Sequence, residues 1–113
     1  MAARNTLSVA PPHAVEAALA RLGGDLRTAR LRRNLTIDDV AAKIGTGRRA
    51  VADAERGKPT TAIAVYAGLL WAYDLLGGRE ASAAPETDEE GTILARARER
   101  TRASRGEALD NDF

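Results

Sequence analysis

The sequence predicts an all-α fold. Apolar residues recur at spacings of three and four over long stretches, which puts them on one face of a helix. Helix start and stop signals punctuate the middle of the chain, with a threonine three residues before an aspartate at Thr36–Asp39 and glycines at Gly45 and Gly57. The composition agrees: 44% of the 113 residues are apolar but only 4% are aromatic, so the core must be aliphatic and alanine-rich.

Residues 1–11 read as a flexible N-terminus, small and polar. Pro11 and Pro12 suit the opening of a helix, since proline fits the first helical turn. Val15, Leu19, Leu22, Leu26 and Ala29 then form one apolar stripe. Gly23 and Gly24 interrupt it at about 1 kcal/mol each against alanine, which leaves either one long helix with a weak point or two helices that break there. Arg27, Arg30, Arg32 and Arg33 crowd the C-terminal end, where cations favour the helix dipole. Asn34 and Leu35 make the connection. Thr36 is a suitable N-cap, and Asp39 sits where a capping box places its acid. Val40, Ala41 and Ile44 form the inner face of this second helix, and Gly45 suits its left-handed end. A further short helix is expected from about Gly47 to Arg56, with Val51 and Ala54 turned inward and Gly57 as its stop. After the Lys58-Pro59 loop, Thr60 or Thr61 caps a helix from about Ala62 to Leu76.

That last helix is apolar on nearly every side, so it must be buried on more than one face. Ile63, Tyr66, Leu70 and Tyr73 are expected to close the core. Val65, Leu69, Trp71 and Leu76 are left over, and a homodimer interface is the simplest use for them. Residues 12–78 thus form the folded domain. Residues 79–113 are expected to be a linker and a charged, disordered tail, in which TILARARERTRASR is at most a marginal helix.

Two short helices joined by a glycine-containing turn form a helix-turn-helix, and such a unit can place its second helix in the major groove of DNA. Arg48, Arg49, Ala52 and Asp53 would point outward from that helix. Arg48 and Arg49 are the candidate base readers, because arginine meets guanine O6 and N7 with two parallel bonds. Thr46, Gly47 and the amides beside them can hold a phosphate at the helix N-terminus. Asp53 can accept from cytosine N4 or pair with a nearby arginine. The net charge of +1 hides an asymmetry: residues 21–58 carry ten Lys/Arg against five Asp/Glu, whereas residues 79–113 carry six against nine. A basic centre suits a phosphate partner.

Other classes lack their parts. The chain has no cysteine and a single histidine, His13, so a metal or cofactor site is not expected, and no catalytic set of nucleophile and base is present. No apolar run is long enough for a membrane span, and the N-terminus lacks the apolar segment of a secretory signal, so the expected location is cytoplasmic and no membrane partner is expected.

The motif residues resemble the Xre, or lambda-repressor-like, family of helix-turn-helix regulators. The resemblance rests on Leu26-Arg27, Arg30, Leu35-Thr36, Val40-Ala41, Gly45, Val51 and Glu55-Arg56-Gly57, and covers about residues 22–76. It implies a five-helix lambda-repressor-like domain, a homodimer on a palindromic duplex operator, and a structural ion pair between Arg30 and Glu55. It further implies phosphate contacts at Arg56, Lys58, Thr60 and Thr61. Three positions depart from the family pattern: Ile37 stands for a glutamine that touches phosphate, Gly47 for a capping serine or threonine, and Asp53 for a polar or basic base reader. The layout of the whole chain, with its LGGDLRTARLRRNLT and GLLWAYDLLG segments, is similar to antitoxins that partner HipA-type kinase toxins. The implied function is a DNA-binding repressor that autoregulates a toxin-antitoxin operon and binds such a kinase. The alternatives are a protein-interaction module with weakened DNA binding and a stand-alone, phage-type regulator.

Overall fold

The computed structural model describes residues 6–77 and 83–111, with side chains up to residue 106. The expectations for residues 1–5, for the linker at 78–82 and for residues 112–113 lie outside the described residues. The chain divides into two compact units, Met1–Leu76 and Gly77–Phe113. Five helices lie in the first unit among its described residues: α1 (Thr6–Val9), α2 (His13–Arg32), α3 (Ile37–Ile44), α4 (Arg48–Glu55) and α5 (Ile63–Ala72). The second holds a 3-10 turn at Pro85–Thr87 and α6 (Glu89–Asn111). No helix among the described residues is long and apolar enough to cross a membrane.

α2 opens after Pro12 and runs unbroken for 20 residues, so the glycine pair does not divide it. The expected stripe is buried at Leu26 and Ala29 and partly buried at Leu19 and Leu22, while Val15 lies beyond the core's edge. The reason Gly23 is tolerated mid-helix is steric. A Cβ there would lie 2.6 Å from the carbonyl oxygens of Ala54 and Glu55, so only a glycine lets α2 approach the end of α4. Gly24, one residue on, faces open space.

α3 begins with the full capping box. The Thr36 hydroxyl accepts from the Asp39 amide at 3.0 Å, and Asp39 accepts from the Thr36 amide at 2.9 Å. Hydrogen bonding from Thr36, its backbone amide first, holds the Asp39 carboxyl below its ordinary range. The helix ends on Gly45 at φ 79°, and both the Gly45 and Thr46 amides donate to Ala41 O. α4 stops at Gly57, whose φ is 68° and whose missing side chain makes room for the Leu19 carbonyl of α2. α4 packs against α2, α3 and α5.

The core consists of Leu26, Ala29, Val40, Ala41, Val51, Ala54, Tyr66, Leu69, Leu70 and Tyr73. Leu26, Val40, Val51 and Leu69 are sealed off from solvent almost completely, each stabilising the fold by about 1.5–3 kcal/mol. Two expectations for α5 are corrected here. Leu69 was expected at a dimer interface but is fully buried, and Val65 and Leu76 pack against the core as well. Ile63 was expected inside but is 84% exposed, at the mouth of the helix. The physical reason is that α5 has apolar residues all round, so its sequence carries no phase; packing against α3 and α4 sets the rotation. Trp71, 57% exposed, remains on the outside. The expected threonine cap is also absent, because Ala62 is the N-cap and no side chain bonds there.

The charged tail is a further correction. It was expected to be disordered with at most a marginal helix, yet among the described residues it forms a 23-residue helix. Asp88 starts it, accepting from the Gly91 amide at 3.0 Å, and Glu89 and Glu90 complement the dipole of the first turn. Alanine and arginine, both strong helix formers, fill the rest, so the helix needs no apolar core to favour it.

Candidate nucleic-acid interface

α4 is held in place by an arginine on α2. Arg30 is buried, and its guanidinium is satisfied on three sides: Nε donates to Glu55 Oε2 at 2.7 Å, Nη2 to Glu55 Oε1 at 3.0 Å, and Nη1 to Leu35 O at 3.0 Å. One side chain thereby joins α2, the last turn of α4 and the loop that enters α3. The two-pronged bond to Glu55 pushes the guanidinium further above its already high pKa. A pair this buried specifies position more than it stabilises, since both ions have lost their water. Arg33, read in the sequence only as a cation at the helix end, makes a second clip. It donates to Ala29 O at 2.9 Å and to Tyr73 O at 3.0 Å, with its guanidinium 5.4 Å from the Tyr73 ring centre, so the ends of α2 and α5 are tied together.

The outer face of α4 then carries the charge. Gly47 is its N-cap and no side chain caps it, so the amides of the first turn remain for an outside acceptor. The Thr46 amide is not among them, because it donates to Ala41 O at 2.9 Å. Arg48 and Arg49 are exposed at this end. Arg48 Nη1 lies 3.1 Å from Asp38 Oδ2, with both side chains 67% exposed, a pairing weak enough for a phosphate or base edge to replace.

Farther along, Asp53 is half-hidden between two cations. Oδ1 accepts from Arg56 Nη2, and Oδ2 lies 3.7 Å from Lys58 Nζ. The Arg56 bond, reinforced by the charges of Lys58 and Arg49 and opposed by burial, holds the carboxyl below its ordinary range. Asp53 is therefore ionised at neutral pH and offsets the two cations beside it. Ala52 is partly buried, and Thr60 is exposed in the loop after α4. Tyr66 positions that loop, its hydroxyl donating to Lys58 O at 3.2 Å. Among the described residues no group of histidine, aspartate or glutamate side chains could hold a metal ion.

Of the residues singled out in the sequence, the fold brings Arg49, Asp53, Arg56 and Lys58 together, sets Arg48 against Asp38 on α3, and separates the Arg30–Glu55 pair into the interior. Ile37, at the departure from the family's glutamine, packs against the core. Asp38, Arg33 and Tyr66 were missed as organisers of this face. Tyr66 read only as a core aromatic, because a side chain that bonds a distant backbone carbonyl leaves no periodic signal, and the Asp38 contact joins residues ten apart on different helices.

Residues 26–66 match the helix-turn-helix family HTH_3, from the second half of α2 to Tyr66 on α5. This segment is a helix-turn-helix domain of the Xre, lambda-repressor-like kind. The domain is of the class found in DNA-binding transcription regulators. No curated protein and no solved structure matches the chain significantly.

Proposed function

We propose that the protein is a homodimeric, sequence-specific repressor that reads its operator with Arg48 and Arg49. The observation that carries this reading is the combination of an uncapped, arginine-bearing N-terminus on α4 with the buried Arg30–Glu55 bolt behind it. A base reader needs a helix that does not yield when its arginines engage. Arg56, Lys58 and the exposed Thr60 supply phosphate contacts along the same stretch, and Asp53 limits how strongly the first two bind DNA of any sequence.

Dimerisation is assigned to the outer strip of α5. At about 100° per residue, Ile63, Ala64, Ala67 and Trp71 fall on one strip of that helix. Ile63 and Trp71 are large and exposed, and Leu75, 45% exposed, extends the surface past the helix end. Trp71→Glu is expected to convert a dimer into a monomer in sedimentation velocity, with the fold intact by circular dichroism. The finer role, an antitoxin that represses its own operon and holds a HipA-like kinase, rests on the resemblance in chain layout. Co-purification of a kinase encoded beside the gene tests it.

The direct test is a fluorescence-anisotropy titration against the DNA upstream of the gene, with a random duplex as control. The intact protein should prefer the upstream DNA. Arg48→Ala with Arg49→Ala should erase that preference, each lost guanine contact being worth about 1–3 kcal/mol. Unchanged discrimination in the double variant would refute the assignment of these arginines.

A further inference from the structure

The helix-turn-helix leaves α6 without a role. Between residues 96 and 105 this helix carries five arginines and one acid, Glu99. Every described side chain from 92 to 106 is exposed, and among the described residues no ion pair or hydrogen bond engages Arg96, Arg98, Arg100, Arg102 or Arg105. A cluster of like charges this dense repels itself, and the helix keeps it only through its own propensity.

The arrangement around the helix is specific. At about 100° per residue, Arg98, Arg102 and Arg105 fall on one flank and Arg96 and Arg100 on the other. Between them runs a strip of Ile93, Ala97, Thr101 and Ser104, small beyond its first residue. Glu99 lies on the side opposite that strip. A helix seated in a DNA groove needs these features: a slim face toward the floor, cations splayed to a phosphate strand on each side, and any acid turned to solvent. A flat anionic membrane would use one face of the helix and would need a broad apolar one, yet among the described side chains of α6 the large apolar ones are Ile93 and Leu94, both at the N-terminal end. A groove on a protein partner would likewise need apolar anchors along the helix.

We infer that α6 is a second DNA-binding element, an arginine arm that grips duplex phosphates without reading sequence. The inference takes its ligand from the proposed role of the first unit, and the test separates the two. The full-length protein is compared with a variant carrying Arg96→Gln, Arg98→Gln, Arg100→Gln, Arg102→Gln and Arg105→Gln. Glutamine keeps the helix-forming tendency and removes the charge. A second variant carries lysine at the same five positions. Each is titrated by anisotropy against the upstream duplex, a random duplex of equal length, and vesicles containing phosphatidylserine, over a range of salt.

The glutamine variant should lose affinity for both duplexes by the same factor, leaving their ratio unchanged. Its slope of log affinity against log salt should flatten by about 0.9 for each phosphate contact removed, up to about 4.5 if all five arginines make one. The lysine variant should keep most of the slope, because counterion release depends on charge. Three results would overturn the inference: an unchanged slope in the glutamine variant, a loss confined to the upstream duplex, or arginine-dependent binding to vesicles without any change toward DNA. If the arm is real but the first unit does not read sequence, the intact protein will bind both duplexes equally with an arginine-dependent slope. If the arm fails while the first unit reads sequence, preference for upstream DNA will persist with the slope unaltered by the glutamine changes.

Discussion

Gly23 and Gly24 are neighbours on one helix, yet alanine at the two positions should act in opposite directions. At Gly24 the new methyl meets nothing within 4 Å, so the substitution removes only the backbone freedom of glycine and should stabilise by about 0.5–1 kcal/mol. At Gly23 the same methyl would lie 2.6 Å from two carbonyl oxygens of α4 and 2.8 Å from the Glu55 carbonyl carbon. These are backbone atoms that cannot rotate away, so α2 must withdraw from α4 by roughly half an ångström at least, to restore contact distance. Overpacking of this kind costs about 1–3 kcal/mol, which outweighs the propensity gain. Because both alanines gain the same propensity, the two variants should differ by the overpacking cost, about 1–3 kcal/mol. For a domain of this size each 1 kcal/mol moves the midpoint by about 4–8 °C, so Gly24→Ala should melt higher than the parent and Gly23→Ala lower. Circular dichroism melts, with urea titrations as a second measure, decide the matter. Because the displaced segment carries Glu55, Gly23→Ala should also weaken operator binding while Gly24→Ala leaves it alone. Equal stabilisation by both alanines would show that α2 and α4 do not approach this closely and that Gly23 does not set the position of α4.

Three further outcomes are expected. Arg30→Ala, which strands Glu55 in a site where its side chain is 6% exposed, should cost about 3–5 kcal/mol in urea titrations, whereas Arg30→Met combined with Glu55→Leu should recover most of it; a double variant as unstable as the single one would contradict this account. Asp39 has a folded pKa below its ordinary 3.8, so its contribution is full above that value and is lost as pH falls through the lower, folded one. The stability gap between the parent and Asp39→Ala should accordingly be present at neutral pH and close in strong acid, and a gap independent of pH would exclude the capping box as its source. Asp53→Asn releases Arg56 and Lys58, so affinity for random duplex should rise and its salt slope steepen by about 0.9 per added contact; a fall in random-duplex affinity would mean that Asp53 positions the cations rather than masking them.

What the sequence determined by itself was local. The Thr36–Asp39 box, the left-handed ends at Gly45 and Gly57 and the inward pair Val51 and Ala54 each follow from rules that act within a few residues, and each appears where the spacing put it. The Arg30–Glu55 pair was legible through family resemblance, since its partners lie 25 residues apart and no local rule joins them. The rest waited on tertiary structure. α5 is apolar on all sides, so only packing could decide that Leu69 is inside and Ile63 outside. Gly23 and Gly24 read alike along the chain, and only the approach of α4 separates them. The charges on the outer face were countable in advance, and a pairing of Asp53 with a nearby arginine was open to the sequence, but a pairing between helices was not. Asp53 holds Arg56 and Lys58 within one short stretch of chain, whereas the meeting of Arg48 with Asp38 depends on how two helices cross. Periodicity reports which side of a helix is apolar; the direction a helix turns when every side is apolar, and which charges then meet, are set by the neighbours it packs against.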